Sequence, residues 1–143
     1  MTELANLSGG ERVLEIGTGS GYEAAVLAEI ATEVYTVELI PELSQHAAEV
    51  IAEQDITNIR FRVGDGNQGW SEFAPFDVIV VTAGGSLPPA LVAQLAPGGR
   101  MMIPLNQEDG GQMLTVVTRD SAGDAVLKDI LPVRFVPLVK PIE

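Results

Sequence analysis

Residues 13–22 read Val-Leu-Glu-Ile-Gly-Thr-Gly-Ser-Gly-Tyr, an apolar run that breaks into alternating glycines before a helix-forming stretch. A buried strand that turns sharply into a helix is the junction where an α/β sheet holds a nucleoside cofactor, although glycines at this spacing also occur by chance in many loops. Gly17 and Gly19 allow a tight turn and a close approach of main chain to ligand. Gly21 leads into a helix whose first N–H groups lack partners and favour a ligand end that accepts hydrogen bonds.

The spacing is G-x-G-x-G, and Tyr22 stands where the dinucleotide fingerprint places its third glycine, so NAD and FAD fit poorly. A second strand, residues 33–37, ends on Glu38, about twenty residues beyond the glycines, where a carboxylate can accept from both hydroxyls of a ribose. Either feature alone is weak, since a strand-end acid is commonly just a solvated charge. In this order, inside one β-α-β unit, they indicate a nucleoside cofactor.

The chain has 143 residues, 20 acids against 8 bases and a formal charge of −12. That length suits one domain, read as residues 1–143. The charge disfavours nucleic acid and anionic membrane surfaces, whose affinity depends on neutralising phosphates. There is no cysteine and His46 is the one histidine, so thiolate nucleophiles, Ser-His-Asp machinery and zinc clusters are absent and no metal site is expected. His46 belongs on the polar face of a helix. No apolar run has membrane-spanning length and the N-terminus lacks a signal-peptide layout, from which a soluble, cytoplasmic protein is expected.

Strands and helices alternate along the chain. The first strand is Arg12–Ile16, followed by a helix over 22–31 and, after the second strand, a helix over 41–54 with Pro41 in its first turn. Leu43, Ala47, Val50 and Ile51 recur there at helical spacing and are read as core. A third strand spans 58–63. A fourth, 76–82, is the near-continuous apolar run of a central parallel strand. Pro88 and Pro89 open a helix reaching Leu95, Pro97-Gly98-Gly99 stops it, and 100–105 form a fifth strand. Residues 113–118 and 125–136 are joined by a polar turn too short for a crossover helix, so they should pair as an antiparallel hairpin. The expected fold is therefore α/β: a Rossmann-like, doubly wound, mostly parallel sheet with a C-terminal antiparallel hairpin.

In such sheets ligands sit beyond the carboxyl ends of the strands where strand order reverses, here between the first and fourth strands. Four loops converge there: 17–21, Glu38-Leu39, Asp65-Gly66 and 83–87. Asp65 can accept from the exocyclic amine of an adenine, or can simply cap its own turn. Glu15 is a charge inside an apolar strand, which is costly unless paired and so suggests a cationic ligand group.

The segments VLEIGTGSGY, YTVE, GDGNQGW, APFDVIVVTA, LPPALVAQLAPGGRMMIP and LPVRFVPLV resemble, in order and spacing, the successive motifs of the protein-L-isoaspartate O-methyltransferases. The resemblance covers nearly the whole chain and implies a class I methyltransferase fold. The activity it implies is transfer of a methyl group from S-adenosylmethionine to the α-carboxylate of L-isoaspartyl residues in damaged proteins, leaving S-adenosylhomocysteine. By motif, Gly17, Thr18, Gly19, Ser20 and Gly21 would flank the methionine part of the cofactor, with Glu15 supporting its amino group. Glu38 would hold its ribose, Asp65 and Gly66 its adenine, and Leu39 would also bind the cofactor. Ala83 and Gly84 on one side, and Val136, Pro137 and Leu138 on the other, would meet the substrate. No side chain is expected to act as an acid, base or nucleophile, because a carboxylate is already nucleophilic and a sulfonium is a good donor, so alignment suffices.

Two departures bear on the acceptor side. The family carries a segment before the first strand, with a Thr-Ile-Ser stretch over the cofactor, whereas this sequence begins almost at the strand. The 83–87 loop is also about one residue shorter than the family pattern and richer in glycine. The alternative reading is accordingly a methyltransferase-like domain that binds the cofactor with lost or altered acceptor specificity. The expected partners are isoaspartyl proteins or peptides, with the chain a monomer or homodimer.

Overall fold

A computed structural model describes residues 7–138. Its seven strands are β1 (Arg12–Ile16), β2 (Glu33–Glu38), β3 (Ile59–Val63), β4 (Phe76–Val81), β5 (Leu95–Asn106), β6 (Gln112–Arg119) and β7 (Ala125–Val133). They form one sheet in the order β3-β2-β1-β4-β5-β6-β7. The first five are parallel to one another, while β6 pairs antiparallel with β5 and β7 antiparallel with β6. Strand order reverses between β1 and β4, as the alternation of elements predicts.

Both faces of the central strands are covered, whereas β7 at the sheet edge is largely exposed. Helices α1 (Tyr22–Ala28) and α2 (Pro41–Glu53) lie on one face, where Ala24, Leu27 and Ile51 pack against Val13, Val34, Val78 and Val80. On the other, helix α3 (Pro89–Ala93) and two short 3-10 turns bring Leu91, Trp70 and Phe73 onto Leu14, Tyr35, Ile79 and Met101. In β4, Val78, Ile79, Val80 and Val81 are all buried, which accounts for its unbroken apolar sequence. No helix among the described residues is long and apolar enough to cross a membrane.

Several boundaries differ from the sequence expectation, each for a local reason. Helix α1 stops at Ala28 rather than Ala31 because the Asn58 side-chain amide donates to the carbonyls of Ala28, at 2.9 Å, and Ala31, at 3.1 Å. Asn58 thereby serves as a cap, and β3 begins one residue later, at Ile59. Helix α3 ends at Ala93, since Leu95 already pairs with Phe76, and Pro97-Gly98-Gly99 is a bulge within β5 rather than a stop before it. β7 ends at Val133, and residues 134–138 leave the sheet for the 83–85 loop. In α2, Ala47 and Ile51 are core, but Leu43 is 40% exposed and Val50 only half-buried. His46 is exposed, as its polar helix face suggests.

Candidate cofactor and acceptor site

At the carboxyl ends of β1 and β4 the glycine turn is held by main chain. Gly17 N–H donates to Val37 O at 2.8 Å, extending the β1–β2 ladder by one residue, and Gly17 adopts φ +97° with Thr82 packed so closely that a Cβ would overlap its hydroxyl. Only glycine satisfies both conditions. Glu38, at the end of β2, is buried and accepts from two main-chain donors, Gly19 N at 2.9 Å through Oε1 and Ile40 N at 3.0 Å through Oε2. Each oxygen keeps a second lone pair. The strand-end acid thus joins the glycine turn to the start of α2.

These groups border a cavity of about 280 Å³. Gly17, Gly19, Glu38, Leu39 and Ile40, from the ends of β1 and β2 and the start of α2, line it together with Gly66 and Thr82, and the rest of the lining comes from Ala83, Val136, Pro137 and Leu138. Among the described residues that line it Glu38 alone is charged, and the rest are mainly apolar. Leu43, expected in the core, projects into this space. Its helical spacing gave the correct face of α2, but its position near the helix start places it over the cavity rather than over the sheet. The wall is completed where residues 136–138 run beside the 83–85 loop: Gly84 N donates to Val136 O and Leu138 N to Gly84 O, both at 2.7 Å.

Other residues singled out by sequence lie around the cavity rather than on its wall. Thr18 is buried, with its hydroxyl 2.6 Å from that of Thr36, and Thr36 donates to Glu15 Oε1, also at 2.6 Å. The three side chains form a continuous hydrogen-bonded chain from Thr18 through Thr36 to Glu15. Glu15 is wholly buried on the α1–α2 side of the sheet, and its Oε2 has no partner among the described residues. Burial pushes its carboxyl up to about 8; the Thr36 bond works against this, and the charges of Glu23 and Glu38 add to it. Glu15 is therefore an internal, largely protonated group tied to the glycine turn through two threonines.

Ser20 is exposed and its Oγ accepts from Tyr22 N at 3.4 Å, while Gly21 is the αL residue that starts α1; both face the cleft between α1 and α2. Asp65 caps its own turn: Oδ1 accepts from Asn67 N and Asn67 Nδ2, both at 3.0 Å, and the residue faces the neighbouring cleft with Ser86 and Pro88. Its neighbour Gly66 reaches the cavity. Sequence reasoning missed Ile16, Val37, Ile40, Thr82 and Gln112. Ile16 and Val37 are apolar strand-end residues, and Ile40 an apolar residue at the start of α2, all indistinguishable from core until the sheet is assembled.

The family model for protein-L-isoaspartate(D-aspartate) O-methyltransferase matches residues 1–143. A protein-L-isoaspartate O-methyltransferase 1 of Anaeromyxobacter sp. (strain Fw109-5) is 51% identical over 140 residues, covering 96% of this chain and 66% of its own length. The protein of that family name from Gloeobacter violaceus is 50% identical, covering 98% of this chain and 68% of its own length. The chain thus spans about two thirds of the length of these curated relatives. Among solved structures, a protein-L-isoaspartate O-methyltransferase superimposes with a TM-score of 0.88 at 34% identity, over 95% of this chain and 44% of that one. A Plasmodium falciparum structure, described as a β-aspartate methyltransferase in complex with S-adenosyl-L-homocysteine, gives 0.79 at 28% identity, over 98% and 71%. Sheet order, glycine turn and strand-end acid agree with this kinship, and the chain belongs to the protein-L-isoaspartate(D-aspartate) O-methyltransferase family.

Proposed function

We propose that this chain binds S-adenosylmethionine and carries out its methyl transfer to the α-carboxylate of L-isoaspartyl residues in proteins and peptides. The observation that carries the reading is the apolar cavity at the β1–β4 reversal, with Glu38 as the single charged residue among the described ones that line it. The cofactor fits these residues: a carboxylate with lone pairs to spare suits ribose hydroxyls, and an apolar surround with one anion suits a body that is part nucleoside, part cation. Glu38 and Leu39 would hold the ribose, Gly66 the base, and Gly17 and Gly19 the methionyl portion. Thr18 and Glu15 act one step back, bracing the turn, while Ser20 and Gly21 shape the start of α1. Asp65 acts by fixing the turn that presents Gly66.

When bound, S-adenosylmethionine supplies an electrophilic methyl group on a sulfonium, and its capture by a carboxylate requires no proton transfer. The chain's task is then to orient and desolvate. Ala83 is buried and Leu138 half-buried, and with the cofactor seated they would limit water near the methyl group, which would strengthen electrostatic interactions inside. Gly84, held between Val136 and Leu138, keeps the two acceptor segments together. The −12 charge fits a soluble, cytoplasmic setting in which substrates are proteins rather than nucleic acid.

The test pairs calorimetric titration with S-adenosylhomocysteine and transfer of labelled methyl to an isoaspartyl peptide, with the aspartyl isomer as control. Binding together with isomer-selective labelling is expected. A folded chain that binds but labels neither peptide would instead support altered acceptor specificity, and one that does not bind would overturn the reading.

A further inference from the structure

β6 begins at Gln112, which pairs with Val133, the last residue of β7. Beyond this point the chain turns away and Phe135 has no main-chain partner in β6. Its N–H donates instead to Gln112 Oε1 at 2.7 Å, and its carbonyl accepts from Gln112 Nε2 at 3.3 Å. A carboxamide offers the same donor and acceptor as a peptide group, so the half-buried Gln112 side chain takes the place of one more ladder residue. The next residue, Val136, is already bonded to Gly84. The Gln112 carboxamide also lies across the Cα of Gly84, where any Cβ would overlap it.

We propose that Gln112 is a positioning residue for the acceptor wall: its carboxamide grips the Phe135 main chain against Gly84 and so sets where Val136, Pro137 and Leu138 stand in the cavity. This rests on the functional reading above and deepens it. Gln112 itself does not line the cavity, so it acts through the segment it holds. The opposite wall depends on β1, β2 and Glu38, none of which touches Gln112. The two walls should therefore respond separately.

Removing the clamp with Gln112→Ala should raise the KM for an isoaspartyl peptide roughly tenfold, the equivalent of deleting one hydrogen-bonding group at a partly buried site. The kcat should stay within about threefold and S-adenosylhomocysteine affinity within about twofold. Gln112→Glu keeps the acceptor for Phe135 N but, when ionised, sets a carboxylate against Phe135 O. Its KM relative to the unaltered chain should recover as pH falls and the new carboxyl regains a proton to donate. A smaller folded fraction would lower the apparent kcat and leave KM unchanged. An unchanged KM in Gln112→Ala, or a parallel loss of kcat and S-adenosylhomocysteine affinity, overturns the proposal. Should the unaltered chain methylate no isoaspartyl peptide, the functional reading fails, and amide exchange still decides the clamp. Faster exchange at Gly84 and Leu138 in Gln112→Ala supports it, and unchanged exchange overturns it.

Discussion

The two walls of the cavity are built by different means. On the cofactor side, Gly17 continues a regular parallel ladder and Glu38 ties the glycine turn to Ile40, all within neighbouring strands and their adjoining turns. On the acceptor side, residues 134–138 belong to no strand, make isolated bonds to the 83–85 loop, and leave Val136 73% exposed. One wall is anchored through the sheet itself and the other hangs from a few bonds between distant segments. Under the proposed function, such a division would let acceptor preference change by altering 83–87 or 134–138 while the Gly17–Glu38 wall keeps its geometry.

The largest expected effect lies beneath the cofactor wall, at Glu15. Its folded-state value of about 8 stands well above the ordinary carboxyl value of 4.5. Its contribution to stability is fully present below about 4.5 and is lost as pH rises to about 8, because the unfolded chain then ionises while the folded one holds its proton. The loss across that window is on the order of a few kcal/mol. Glu15→Gln keeps the shape and an acceptor for Thr36, so denaturant unfolding at pH 5 and pH 8 should show a smaller fall in stability for the variant. An equal fall in both chains would mean that Glu15 is not the protonated foundation of this wall.

Next in size is Glu38→Ala, which removes the acceptor of two main-chain donors and of the proposed ribose bonds. S-adenosylhomocysteine affinity should drop by roughly 30- to 100-fold, corresponding to about 2–3 kcal/mol for hydrogen bonds to a charged group. A smaller loss than that of Gln112→Ala would invert the comparison, making the irregular wall the one that governs cofactor binding. Asp65→Ala sharpens it further. The Asx turn to Asn67 accounts for Oδ1, so about 1 kcal/mol of stability should be lost, with a drop in S-adenosylhomocysteine affinity smaller than that of Glu38→Ala. Calorimetry on both variants, with unfolding curves alongside, checks the ranking.

What the sequence reveals follows the same division. The glycine turn and Glu38 are legible because their geometry is local: a strand end, a positive φ, an acid at the end of the next strand. The parallel core is legible through β4, because an apolar run that long and unbroken suits a strand covered on both faces. Gln112 is invisible, since a polar residue opening a hairpin strand reads as surface until Phe135 arrives from 23 positions away. Thr36 is hidden for the same reason, its role set by Glu15 on the neighbouring strand, 21 positions earlier. Pro97-Gly98-Gly99 misleads because a bulge and a strand boundary use the same residues.

Leu43 gives the smallest and most discriminating test. Helical periodicity assigns it to the core together with Ala47 and Ile51, whereas the fold places it at the cavity beside Ile40. A core leucine truncated to alanine costs about 2–5 kcal/mol through transfer and cavity terms. A side chain that is 40% exposed has far less to lose from the folded state. Leu43→Ala should therefore leave the unfolding midpoint nearly unchanged while weakening S-adenosylhomocysteine several-fold, as expected when the bound ligand covers less apolar surface by about 1 kcal/mol. A large loss of stability with unchanged affinity would return Leu43 to the core and shift the cofactor wall toward Gly17 and Glu38 alone. The predicted result would instead extend that wall onto the first turn of α2, which Glu38 already holds in place through Ile40 N.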